Sequence, residues 1–215
     1  MEILELEQGS EEWLNARKGR ATASEFDKII TATGRESKQA EAYMKKLARE
    51  CYIDDPMVFM GNKHTDWGHE NEVHARNMFR HIKDLAVVEV GFVISDKLQV
   101  VGCSPDGMVC SDDGEYIAGL EIKCPQVDTH VEYLLEGELP AKYRLQVHGS
   151  MAVTGLDSWW FMSYFPGLNP LIIEVKRDDF TQLVEDRLEQ FVIDYQPVLK
   201  RVHDAIIPKE TEELI

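Results

Sequence analysis

Two acids and a lysine stand in a pattern that could hydrolyse a phosphodiester. Asp106 lies in the run Cys103-Ser104-Pro105-Asp106-Gly107, and Glu121 and Lys123 follow in Leu120-Glu121-Ile122-Lys123-Cys124-Pro125. Side chains alternate along a strand, so a strand over residues 116–123 points Glu121 and Lys123 to one face and Ile122 to the other. Ser104-Pro105-Asp106-Gly107 has turn chemistry, with proline fixing φ and glycine relieving the backbone. It joins the apolar run 99–102 to residues 108–110, and if those segments pair with the strand bearing Glu121 the three charges converge. Carboxylate oxygens suit a hard cation such as Mg²⁺, which keeps several waters and binds through one or two carboxylates plus phosphate. Two such ions would activate water and stabilise the leaving oxygen, with the lysine beside the attacking water. Each piece also has an ordinary explanation: Asp-Gly after proline as a plain turn, and Glu-x-Lys as a cross-strand ion pair on a solvated face. Cys103, Ile122, Cys124 and Pro125 surround the charges with apolar or small groups, a setting where like charges are unfavourable without a metal.

The rest of the chain reads as the frame for that site. Ser10 can cap a helix carrying Trp13, Leu14 and Arg17, with Glu11 and Glu12 favourable at its positive end. Thr22 followed by Glu25 matches a capping box, which would set Ser24 at a helix N-terminus, a good phosphate-binding position. Further helices are expected over residues 38–51, 68–82, 128–135, 141–153 and 178–205. Strands are expected over 86–95, 98–102, 108–110, 116–123, 158–165 and 171–175. Helices, a run of strands, then helices imply an α/β chain with a central mixed sheet flanked by helices. Trp159, Trp160, Phe161 and Phe165 read as core.

The helix over 68–82 offers two acids, Glu70 and Glu72, about 200° apart around its axis, so only one can face the site. His69 and His74 on the same helix could suggest zinc. Their i,i+5 spacing does not share a face as i,i+4 would, and an oxygen-rich site favours Mg²⁺ or Mn²⁺.

With 215 residues, no Pro/Gly/Ser-rich linker and no internal repeat, a single domain over 1–215 is expected. No apolar run is long enough to span a bilayer, and the start Met1-Glu2-Ile3-Leu4-Glu5 carries no signal core, so a cytoplasmic protein without membrane contact is expected. Cys51, Cys103, Cys110 and Cys124 lack CxxC spacing and fit free thiols. Lys+Arg 23 against Asp+Glu 39 gives a formal net charge of −16. A DNA-binding domain usually shows a basic footprint, so any DNA contact here requires local concentration of positive charge. Basic residues do gather in the first quarter, among them Arg17, Arg35, Lys38 and Lys46, while Glu210, Glu212 and Glu213 acidify the tail.

The two metal-site runs closely resemble those of the phage lambda exonuclease family, the YqaJ-like viral recombinases within the RecB-type nucleases. Trp13 to Arg17, Thr22-Ala23-Ser24-Glu25, Trp67-Gly68 with Glu72, and Tyr143 to Gln146 leading into Ser150-Met151 and Val153-Thr154 resemble that family in the same order. The resemblance implies a restriction-endonuclease-like PD-(D/E)xK core and a metal-dependent 5′-to-3′ exonuclease on duplex DNA. Such an enzyme releases 5′-mononucleotides and leaves 3′ single strands for recombination by annealing. It implies that Asp106, Glu121 and the backbone carbonyl of Ile122 hold Mg²⁺ or Mn²⁺, two ions per site, that Lys123 orients the water, and that Glu72 is the helical acid. By the same resemblance Arg17, Ser24, Ser104 and Gln146 hold the 5′-terminal phosphate, and Arg35 and Tyr143 approach the DNA. A homotrimeric ring and a phage single-strand annealing protein as partner are also implied. Some RecB-type nucleases carry an iron-sulfur cluster on cysteines near the C-terminus; none lies after Cys124 here.

Ordinary roles stand beside these: Arg17 as a helix-surface ion pair, Ser24 as a cap, Ser104 as a turn former, Gln146 as a packing amide and Tyr143 as core. A RecB-type endonuclease or single-strand nuclease would keep Asp106, Glu121 and Lys123 yet need no 5′ terminus. A noncatalytic DNA-end-binding scaffold would make the carboxylates structural. Digestion of end-labelled duplex with and without Mg²⁺ separates the three.

Overall fold

The computed structural model describes residues 1–53 and 63–207, the side chains of 63–66 and 69 excepted; His69 and the acidic tail, Glu210, Glu212 and Glu213, therefore lie outside the described residues. In chain order the elements are β1 (Glu2–Leu4), α1 (Glu11–Arg17), β2 (Ala21–Thr22), α2 (Ala40–Glu50), α3 (Lys63–Lys83), β3 (Ala86–Val88), β4 (Phe92–Ile94) and β5 (Val101–Cys103). There follow β6 (Gly107–Cys110), β7 (Tyr116–Lys123), α4 (Val127–Glu136), α5 (Ala141–Thr154), β8 (Ser158–Ser163), β9 (Leu171–Lys176) and α6 (Asp179–Ile206).

The helix ends follow local chemistry. The Ser10 hydroxyl accepts from Trp13 N–H at the start of α1. Asp178 and Thr181 form a reciprocal capping box at the start of α6. At the end of α5, Gly155 takes φ 75°, a left-handed conformation that a side chain would resist. Thr22 behaves differently from the expectation: its side chain makes no capping bond, and Ala23–Lys28 forms a 3₁₀ helix. The Thr22 hydroxyl instead lies within hydrogen-bonding distance of Arg17 and Ser24.

Two mixed sheets form, of order β1-β4-β5-β2 and β3-β6-β7-β8-β9. In the second, β7 runs antiparallel to β6 and parallel to β8. The expected strand over 86–95 is divided between the sheets: β3 pairs with β6, whereas β4 pairs with β1 and β5. Gly91 between them lies so close to the Leu6 backbone that a Cβ would fall 2.3 Å from the Leu6 carbonyl oxygen. The turn at Pro105-Asp106 likewise passes from β5 in one sheet to β6 in the other, so it is a crossing between sheets rather than a hairpin.

The five-stranded sheet has a buried set on each face. Ala118, Leu120 and Ile122 of β7 pack with Ala75 and Phe79 of α3. On the opposite face Met108 and Trp159 join Phe26, Leu47, Met151 and Phe191 from the 3₁₀ segment, α2, α5 and α6. Trp159 and Phe161 are fully buried, as expected of core, while Trp160 and Phe165 are partly exposed. Gly119 leaves space for the Trp159 ring, which a Cβ would meet at 2.2 Å. Glu121 and Lys123, in phase with Gly119, therefore face α5.

Candidate active site

The β6–β7 ladder ends at Gly107↔Leu120. Extending that register by one residue sets Asp106 against Glu121, and Asp106 ties itself to the strand end twice. Its N–H donates to Leu120 O at 3.0 Å, and its Oδ2 accepts from Ile122 N–H at 2.6 Å. Backbone groups of alternate residues in a strand turn to the same neighbour. Lys123 O accepts from Tyr164 N–H on the β8 side, so Ile122, whose N–H turns to Asp106, presents its carbonyl to the Asp106 edge.

Glu121 is buried, 2% exposed, which would be costly for a carboxylate without partners. Lys123 Nζ lies 2.5 Å from Glu121 Oε1 and 5.5 Å from the centre of the Tyr143 ring. From α5, Gln146 Nε2 donates to the same Glu121 oxygen at 2.6 Å. Tyr143 stacks on Phe161 of β8 at 5.2 Å and meets Tyr133 edge-on. Burial pushes the Asp106 carboxyl well above the usual carboxylate range; Glu121 and Glu72 add to this, and Lys123 opposes it. Burial would lower the Lys123 pKa, yet Glu121 and Asp106 outweigh it and keep the ammonium charged.

Glu72 lines a cleft of about 570 Å³ together with Asp106, Arg76 and Gln8. Glu70 is exposed and His74 points to solvent. The Cys124 thiol is pushed up to about 12 by burial, with Glu72 and Asp106 adding to the effect, so it stays protonated and is no nucleophile.

Asp106, Glu121 and the Ile122 carbonyl make a set of hard oxygen donors, and the two apposed acids are offset only in part by Lys123. A divalent cation fits that chemistry. Among the described residues no three His, Cys, Asp or Glu side chains converge as a ready-made cluster. An ion here would draw on two carboxylates, a carbonyl, water and substrate phosphate, the habit of Mg²⁺ or Mn²⁺ rather than of structural zinc.

A second cluster lies beside the first. Arg17 donates from one guanidinium nitrogen to Ser104 Oγ at 2.9 Å and from the other to Thr22 Oγ1 at 3.4 Å. Thr22 Oγ1 is in turn 3.4 Å from Ser24 Oγ. The guanidinium rests on the Trp13 ring at 4.3 Å, and Trp13 Nε1 donates to Ser104 Oγ at 3.1 Å and to Gly91 O. Burial depresses the Arg17 pKa, with Glu25, Tyr43 and Cys103 acting the other way. Among the described residues Arg17 has no carboxylate in ion-pair contact. Cys103, fully buried, feels both Glu121 and Arg17, so both clusters lie within electrostatic reach of one thiol.

Arg17, Ser24 and Ser104 are thus brought together, and Gln146 stands at Glu121 instead. Arg35 is exposed in the turn closed by the Ile30↔Glu36 bridge, outside both hydrogen-bond networks. Sequence reasoning passed over Trp13 as the platform for Arg17, Thr22 as the link to Ser24, and Gln8 and Arg76 at the Asp106 turn. The i,i+4 spacing of Trp13 and Arg17 was the one available signal; the others depend on contacts between distant segments.

Comparison with known proteins bears on the family and the fold. The solved structure of LHK-Exo, an alkaline exonuclease from Laribacter hongkongensis, matches with a TM-score of 0.76 at 26% identity, covering 96% of this chain and 100% of that one. The same protein in complex with dAMP matches equally. A phage related exonuclease from Haemophilus somnus 129PT shares the fold, with a TM-score of 0.63 at 15% identity over 87% of this chain and 96% of that one. No curated protein sequence matches the chain. The model of the YqaJ-like viral recombinase domain matches residues 12–157, well over half of the sequence and spanning both clusters, and the chain belongs to that family.

Proposed function

We propose that this chain is a phage-type, metal-dependent nuclease acting as a 5′-to-3′ exonuclease on duplex DNA. It releases 5′-mononucleotides and exposes 3′ single strands for recombination by annealing. The observation that carries the reading is the pairing of two clusters: a half-buried guanidinium without a carboxylate partner among the described residues, beside a carboxylate pair with a charged lysine. The likeness to an alkaline exonuclease supports it.

Asp106, Glu121 and the Ile122 carbonyl would hold Mg²⁺ or Mn²⁺, two ions per site, with Glu72 reaching them directly or through water. When bound, the metal supplies Lewis-acid activation of water and stabilisation of the leaving oxygen. Lys123 orients the water and stabilises its deprotonated form. Gln146 fixes the Glu121 carboxylate, and the second hydrogen of its amide is assigned to the terminal phosphate. Arg17, Ser24 and Ser104 complete that pocket, so one end of the duplex is set in register and polarity follows without base reading. Tyr143, stacked under Lys123, and the exposed Arg35 are assigned to the approach of the DNA. The chain acts as one domain, assembles as a homotrimer around the duplex and hands the exposed strand to a phage annealing protein in the host cytoplasm. No described helix is long and apolar enough to cross a membrane.

The test is digestion of a linear duplex labelled at the 5′ or the 3′ end, and of a closed circle, with and without Mg²⁺. Early release of 5′ label as mononucleotide, with the circle intact, is expected. Cutting of the circle would favour the endonuclease reading, and end binding without cleavage the scaffold.

A further inference from the structure

The turn that carries Asp106 crosses between sheets, so the carbonyls of Pro105 and Asp106 belong to neither ladder and need other donors. Two side chains from distant segments supply them. Gln8, in the loop after β1, donates from Nε2 to Pro105 O at 2.9 Å and to Val90 O at 3.0 Å. Arg76, one helical turn beyond Glu72 on α3, donates from Nε to Asp106 O at 2.7 Å. Its side chain is 6% exposed, and its guanidinium is ion-paired with Glu89 in the connector between β3 and β4. Together with Leu120 O and Ile122 N–H, these bonds engage the N–H, the carbonyl and the carboxylate of Asp106.

We propose that Gln8 and Arg76 are positioning residues that clamp the Pro105-Asp106 turn and so set the Asp106 carboxylate against Glu121. The inference rests on the reading of Asp106 as a metal-holding acid. Gln8 ties the turn to the β3–β4 connector, and Arg76 ties it to the helix that presents Glu72, so three acids drawn from three segments are held in one frame. Neither side chain touches the reacting atoms. Their effect passes through where Asp106 stands, and a catalytic group displaced by about 1 Å can lose on the order of 10²-fold in rate.

Gln8→Ala removes both hydrogen bonds made by one half-buried amide. Arg76→Lys keeps the charge toward Glu89 but loses the fork that serves Glu89 and the Asp106 carbonyl together. Glu89→Gln removes the ion pair and leaves the Nε bond. For Gln8→Ala and Arg76→Lys, kcat should fall about 10-fold or more, the Mg²⁺ concentration at half-maximal rate should rise, and KM for DNA should stay near wild type. Mn²⁺ binding to the DNA-free protein, read by electron paramagnetic resonance, should weaken in both and stay near wild type in Glu89→Gln. The double variant should lose less than the product of the single effects, because both act on one turn. Variants that melt earlier but keep wild-type kcat and Mn²⁺ affinity would overturn the clamp while leaving the metal site standing. A raised KM at unchanged kcat would overturn it in favour of a substrate contact. Wild-type protein that binds no Mn²⁺ would remove the metal site and the clamp with it.

Discussion

Replacing Arg17 tests the part of the reading that separates an end-directed exonuclease from a general nuclease. The guanidinium is held by Ser104 and stacked on Trp13, and among the described residues it meets no carboxylate. Its charge is thus partly desolvated and in no ion pair among the described residues, a state in which a phosphate gains from it. A charge-assisted hydrogen bond contributes roughly 1.5 to 3 kcal/mol, on the order of 10 to 100-fold. A 5′-hydroxyl end cannot receive it. The assay compares kcat/KM on two duplexes of identical sequence, one with 5′-phosphate and one with 5′-hydroxyl. Wild type should favour the phosphate, and Arg17→Ala should remove most of that preference by slowing the phosphorylated substrate alone. Arg17→Lys should restore only part, because an ammonium has no planar fork. Truncation also removes a cation–π contact of about 0.5 to 2 kcal/mol, so rates belong well below the variant's melting temperature. Equal rates on both ends for wild type, or equal slowing of both by Arg17→Ala, would refute the pocket.

Lys123→Ala should cost about 10²-fold or more in turnover while metal-supported DNA binding persists, if the lysine acts on water, as proposed, rather than on the duplex; single-turnover digestion beside a filter-binding titration reads both. Sedimentation at micromolar protein should give three times the 24.6 kDa chain mass, and a monomer that digests long duplexes processively would remove the ring. His148 is buried against Thr181 Oγ1 at 2.8 Å, and burial lowers its pKa from the ordinary value near 6.5, with Asp178 opposing and Arg144 adding. The unfolded chain therefore takes up this proton first: the contribution is complete above about pH 6.5 and is lost as pH falls from there toward the folded value. Urea titrations should show wild type losing more stability than His148→Gln between pH 7.5 and 5.5, and an equal loss would defeat the assignment. Gly119→Ala drives a Cβ into the Trp159 ring and should destabilise the fold by about 1 to 3 kcal/mol in the same assay, with near-zero change as the refuting result.

Much of the frame was legible because it rests on local rules. The Ser10 cap, the strand over 116–123 and the helix beginning at Ala141 follow from capping, alternation and apolar periodicity, and they stand where those signals put them. What misled was pairing. Residues 86–95 carry one continuous strand pattern, and nothing local shows that Gly91 packs against Leu6 and divides it between two sheets. Thr22 and Glu25 match a capping box in spacing, but the Thr22 hydroxyl lies against Arg17 and Ser24 while the Glu25 carboxylate binds Lys28, Lys46 and Tyr43, which leaves neither for the cap. The acids and lysine of the candidate site stood out by type and spacing. The order of contacts among them was not, because Gln146 reaches Glu121 from a helix packed across the sheet.

The net charge of −16 then has a structural resolution. Several N-terminal basic residues that looked like a DNA footprint are neutralised locally: Lys28 and Lys46 by Glu25, and Lys45 by Glu41. Arg17, Arg35 and Lys38, by contrast, form no ion pair among the described residues. An exposed acid acts on a phosphate only through solvent, screened over a Debye length of about 8 Å at physiological salt, whereas a half-buried guanidinium a hydrogen bond away is screened much less. One partly desolvated cation, Arg17, could therefore govern where a DNA end docks while the acidic surface as a whole repels DNA, and that repulsion would discourage binding along the duplex. An acidic surface with a cationic pocket would thus favour ends over interior sites, the selectivity the proposed exonuclease needs. If this is how the charge works, moderate salt should raise interior binding relative to end binding by weakening the surface repulsion more than the pocket contact, the opposite of the trend for a basic DNA-binding face.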